Sequence, residues 1–86
     1  MPMEECGRQE NASDIGRKLN AIPASDTNKK MRGVIVASDF MIRTYSQCLP
    51  DPRAQQIVAQ YKQTREDTLR TCRQLVSNDN CLVAPF

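Results

Sequence analysis

Histidine and tryptophan are absent from this 86-residue chain, glycine occurs three times, and aromatic residues make up only 5% of it. Without histidine, a zinc site would have to be built from cysteine and carboxylate, and a protease-type cysteine nucleophile lacks its usual base. No two of the four cysteines form a C-x-x-C pair, which speaks against both a tetrathiolate zinc site and a thioredoxin-type redox centre. Long apolar runs are missing too. No run exceeds four residues, as in Val34 to Ala37, far short of the roughly 20 residues that span a bilayer. Met1 to Cys6 lacks the apolar core of a secretory signal, so the chain is expected to be cytosolic or to have lost a signal before this numbering begins. The glycine-rich phosphate loop and the zinc-finger pattern are both missing. With a net charge of only +2 and acidic residues interspersed, the electrostatic footprint for nucleic acid is thin.

What is present describes a small helical domain. Apolar residues at 40% and charged residues at 26% suit a globular chain, neither a disordered tail nor a membrane protein. Asp51-Pro52 is a good helix start, because the aspartate accepts from orphan backbone donors and proline suits the first helical position. Ala54, Ile57, Val58, Tyr61, Thr68, Leu69, Cys72, Leu75 and Val76 then recur at spacings of three and four. Ser77-Asn78-Asp79-Asn80 favours a turn, so a helix is expected from 52 to 77.

A middle helix begins at Ser25, Asp26 or Thr27 and ends near Gln47, because Leu49-Pro50 biases the chain toward extended backbone. Met31, Val34, Ile35, Met41, Ile42, Tyr45 and Leu49 form its main apolar face; Gly33, Val36, Ala37 and Phe40 form a second, narrower strip where a neighbouring backbone can approach. A helix apolar on two sides belongs at the centre. A first, weaker segment carries Ala12, Ile15, Gly16, Leu19 and Ile22, started by Asn11 or Ser13 and closed before Pro23. The expected fold is a single all-α domain over residues 1–86: a three-helix, antiparallel, up-down-up bundle stapled by disulfides.

Helix geometry selects the disulfide pairing. Cys48 precedes the last helix and Cys72 lies far along it, roughly 30 Å away at 1.5 Å per residue. Cys48 cannot reach Cys81 either, since the tail beyond Ser77 spans at most about 14 Å. Cys6–Cys48 and Cys72–Cys81 remain, contributing about 4 and about 2.7 kcal/mol in the chain-entropy model. If these bridges form, the compartment is oxidising, periplasmic or secreted; if all four cysteines are reduced small hydrophobes, it is cytoplasmic. Asn11-Ala12-Ser13 also fits the glycosylation acceptor pattern.

Arg65 falls on the apolar stripe of the last helix, and Asp39 is the carboxylate nearest to it in an antiparallel hairpin turning at Pro50. It reads either as a structural ion pair or as a partner-binding anchor. Lys29, Lys30 and Arg32, and separately Lys62, Arg70 and Arg73, form mixed-charge surface. Glu4-Glu5 and Glu66-Asp67 are adjacent carboxylates with no metal or histidine to complete a site, so neither enzyme activity nor a cofactor is expected. Gln55, Gln56, Gln60, Gln63 and Gln74 make the polar surface of the last helix rich in glutamine, and with Leu82, Val83 and Phe86 they offer a partner surface; equally, the tail caps the core. The candidate partner-binding residues are Arg65, Gln56, Gln60, Gln63 and Phe86.

The stretch from Gly33-Val34 through Asp39, followed by Cys48-Leu49-Pro50 and a long helix, resembles the helical periplasmic immunity proteins that neutralise type VI secretion toxins. That family's closing cysteine at the very C-terminus is missing here. The resemblance implies a small, disulfide-bonded binder of a protein partner. The functional expectation is therefore a non-enzymatic extracytoplasmic interaction protein (inhibitor, immunity factor or accessory subunit) that presents a rigid helical surface to a protein and inserts into no membrane. The alternative is a cytosolic regulatory helical protein, dimeric and associated with nucleic acid.

Overall fold

The computed structural model describes residues 1–7, 11–75 and 80–86, with only the backbone described at 11 and 12. Four helices follow in order: α1 (Met3–Cys6), α2 (Asn11–Asn20), α3 (Thr27–Ser46) and α4 (Pro52–Leu75). No strand occurs among the described residues. The extra element is α1, a single turn whose Gly7 N–H donates to Met3 O at 3.2 Å. It is too short to show periodicity and is held in place by Cys6.

The helix starts are set by aspartate. Asp26 Oδ1 accepts from Lys29 N–H at 3.1 Å and caps α3, selecting one of three sequence candidates. Asp51 Oδ1 accepts from Arg53 N–H at 2.9 Å at the head of α4, with Pro52 as the first helical residue. The Arg53 guanidinium also reaches Asp51 Oδ2 at 3.0 Å and holds that carboxyl below its ordinary range. Lys18 first, then Arg17, does the same for Asp14 on α2. These pairs are exposed and fix local geometry more than they stabilise the fold. The end expected for the last helix, 76–77, lies outside the described residues.

The α3–α4 hairpin is the main body, with α2 laid antiparallel along α3 and making at most slight contact with α4. α3 is therefore the central element, as its two apolar strips require. Two buried clusters lie along the hairpin, each built around a disulfide. Cys6, Cys48 and Ala54 pack with Met3 and Tyr45; Ile35, Cys72 and Cys81 pack with Met31 and Leu69. The bridges are Cys6–Cys48, with 6.5 Å between Cα atoms, and Cys72–Cys81, with 6.1 Å. These are the pairs that helix length selects.

Three details depart from the periodic reading. Leu49 and Leu75 are exposed although both continue an apolar stripe, because each sits at a helix end beyond its partner's reach. Ser38 and Thr44 are buried although polar, since position on α3 rather than residue type decides their depth. At Gly33 the close neighbours are side chains, not backbone: an added Cβ would lie 2.7 Å from Leu19 Cδ1 and 3.0 Å from Ile22 Cδ1.

The glycines of α2 and α3 thus predict opposite outcomes. Gly33→Ala crowds Leu19 and Ile22, and is expected to destabilise by about 1–2 kcal/mol as overpacking outweighs the gain in helix propensity. Gly16 lies inside α2 with no atom within 4 Å of an added Cβ and no left-handed φ. Gly16→Ala is expected to stabilise by about 0.5–1 kcal/mol. Urea denaturation of the two variants checks both signs.

Candidate functional site

Because α2 packs on α3 and scarcely reaches α4, the two outer helices leave a groove between them with α3 as its floor. Ile15, Gly16 and Leu19 form the α2 wall, and Tyr61 and Thr64 the α4 wall; Val34, Ala37, Ser38, Phe40 and Met41 lie beneath. Its volume is about 270 Å³, and its lining is almost wholly apolar. One group on the floor is different. Ser38 is 1% exposed, and among the described residues its hydroxyl has no hydrogen-bond partner. Helical hydroxyls elsewhere in the chain turn back onto the preceding turn: Ser46 Oγ donates to Ile42 O at 2.5 Å and Thr71 Oγ1 to Asp67 O at 3.0 Å. Asn80 Oδ1 is the one fully buried polar side-chain atom without a partner among the described residues, so the Ser38 hydroxyl opens into the groove.

At its α2–α3 end the groove gives way to a tight seat. Leu19 and Ile22 press on Gly33, with Pro85 of the tail nearby. Lys30 Nζ donates to Leu19 O at 3.4 Å, placing a cation on the carbonyl end of α2, and Arg32 Nη1 donates to Val83 O at 3.3 Å. Two of the three cations at the head of α3 thereby tie down α2 and the tail. The other basic group is mixed: Arg70 pairs with Glu66 at 3.6 Å and Asp67 at 3.5 Å.

The candidate residues do not form one surface. Arg65 Nε donates to Asp39 Oδ1 at 2.6 Å, on the face of α4 turned toward α3. Both side chains are half-exposed, so the pair contributes at most about 1 kcal/mol and positions the hairpin. Gln56, Gln60 and Gln63 are exposed on the opposite face of α4, at spacings of four and three, and Gln63 Nε2 donates to Asp67 Oδ1 at 2.9 Å. Phe86 lies elsewhere, with Lys18 Nζ of α2 5.7 Å from its ring centre.

Large exposed apolar residues gather instead at the C-terminal end. Leu75, Leu82, Val83 and Phe86 are between 44% and 66% exposed. The Cys72–Cys81 bridge, the Arg32 hydrogen bond and the Lys18 ring contact fix this tail in place. All four cysteines are in bridges, and no group of three acidic or cysteine side chains suited to a metal occurs among the described residues. No helix among the described residues is long and apolar enough to cross a membrane.

The groove escaped sequence reasoning because periodicity assigns faces to helices but does not say that two outer helices fail to meet. Gly16, a helix-interior glycine on an apolar stripe, was the available signal. No family model, curated protein or solved structure matches the chain.

Proposed function

We propose that this is a non-enzymatic, extracytoplasmic interaction protein that binds a protein partner through its disulfide-pinned C-terminal tail. The observation that carries this reading is the concentration of exposed apolar side chains at Leu75, Leu82, Val83 and Phe86, on a segment fixed at Cys81, Val83 and Phe86. Exposed apolar residues held by covalent and polar ties lose little entropy on association, so burying them favours binding. Two buried disulfides in so small a domain support an oxidising compartment, periplasmic or secreted. Inhibitor, immunity factor and accessory subunit are the roles that this mode of action suits. The face of α4 bearing Gln56, Gln60 and Gln63 supplies polar surface without an apolar anchor and is secondary.

The test replaces Phe86 with a photo-crosslinking phenylalanine analogue and isolates adducts from the protein's native compartment. A discrete adduct is expected. It should weaken at least tenfold when Leu82→Asp and Val83→Asp are added, and persist with Gln56, Gln60 and Gln63 changed to alanine. An adduct insensitive to the tail changes, or lost with the glutamines alone, would overturn the reading.

A further inference from the structure

We propose that the groove between α2 and α4 is a binding site for a small apolar molecule that carries one hydrogen-bonding group and is about the size of a bicyclic aromatic. Three observations converge on it. The space is concave, about 270 Å³, and lined by Ile15, Leu19, Val34, Ala37, Phe40 and Met41, which offers apolar contact on three sides. Ser38, Tyr61 and Thr64 bring hydroxyls to that lining, the deepest being that of Ser38, which is 1% exposed and can both donate and accept. A ligand with one polar atom satisfies it, whereas a pure hydrocarbon leaves it unpaired.

Gly16 is the third observation. Its backbone needs no glycine and no neighbour excludes a Cβ, so the fold gives no reason for its presence inside α2. It stands on the groove wall, and any larger side chain there would take up space a ligand needs. A position that weakens its helix while keeping a cavity clear fits a site maintained for occupancy.

The ligand is small because the groove is short. It extends from Val34 to Met41 along α3, about 10 Å at 1.5 Å per residue. None of Leu75, Leu82, Val83 and Phe86 lines it, so the two readings are tested by different residues.

The experiment titrates the oxidised full chain with indole and with indene, which share a shape but differ in one N–H donor, following the methyl resonances of Ile15, Ala37 and Met41. Indole is expected to give saturable shifts with a dissociation constant of about 1 mM or tighter. Intermolecular Overhauser contacts should reach Ile15 and Phe40. Indene is expected to bind about fivefold more weakly, and Ser38→Ala should bring indole down to the indene level. The Leu82→Asp, Val83→Asp protein should bind indole unchanged. Non-saturating shifts, contacts confined to other surfaces, or an indole preference that survives Ser38→Ala would each overturn the proposal. The Overhauser contacts need no variant, so the test holds even where a substitution disturbs folding.

Discussion

Replacing Cys6 and Cys48 together by alanine is expected to lower the free energy of unfolding by about 4 kcal/mol, measured by urea denaturation under non-reducing conditions. The bridge closes a loop with a sequence separation of 42, and in the chain-entropy model its removal returns that freedom to the unfolded state. Packing is lost as well. The two cysteines with Ala54 form the buried centre of one of the two clusters, and they fasten the one-turn helix α1 to the end of α3. A domain of this size has a total stability of roughly 4–13 kcal/mol, so the variant should be marginal at room temperature. Removing Cys72 and Cys81 should cost less, about 2.7 kcal/mol, because the separation is only 9. If the two double variants were equally stable, or the first were unaffected, the long bridge would not be holding the N-terminal segment.

Ile35→Ala is expected to destabilise by about 3 kcal/mol, the range found when a large aliphatic side chain is removed from a filled core. Ile35 is only 1% exposed and packs with Cys72, Cys81, Met31 and Leu69, so the cavity has few neighbours free to collapse into it. Its contact with the second disulfide also predicts non-additivity. Ile35→Ala combined with loss of Cys72 and Cys81 should differ from the sum of the two effects by about 0.5 kcal/mol or more. The measurement is the urea midpoint at unchanged slope. A loss below about 1 kcal/mol would mean that the cluster is not a core.

The helices and the cysteine pairing were legible because both rest on local, quantised geometry. Asp51-Pro52 marks a helix start in any context, and 1.5 Å per residue keeps Cys48 and Cys72 apart whatever the packing. The Arg65–Asp39 pair was legible for the same reason, since a hairpin turning at Pro50 aligns the two positions. Depth was less legible. Leu49 and Leu75 carry the right spacing but lie at helix ends with nothing opposite them, while Ser38 is buried where α3 faces both of its neighbours.

The candidate site was the least legible. Arg65 on the apolar stripe and Gln56, Gln60 and Gln63 across α4 from it follow from the 100° step per residue, whereas the place of Phe86 against α2 leaves no periodic signal. The groove depends on a gap between α2 and α4, which arises from the angle of packing on α3 and leaves no periodic trace. Gly16 was visible, but as a weak point in a helix.

Two specific disulfides, Cys6–Cys48 and Cys72–Cys81, hold the helices and the tail of this chain together, and peptide mapping without reduction tests that pairing. Trypsin separates all four cysteines, into peptides 1–8, 44–53, 71–73 and 74–86. Protein isolated from its native compartment with thiols blocked at lysis should yield 1–8 linked to 44–53, and 71–73 linked to 74–86. Four blocked thiols, or any crossed pair such as 44–53 linked to 71–73, would contradict the account.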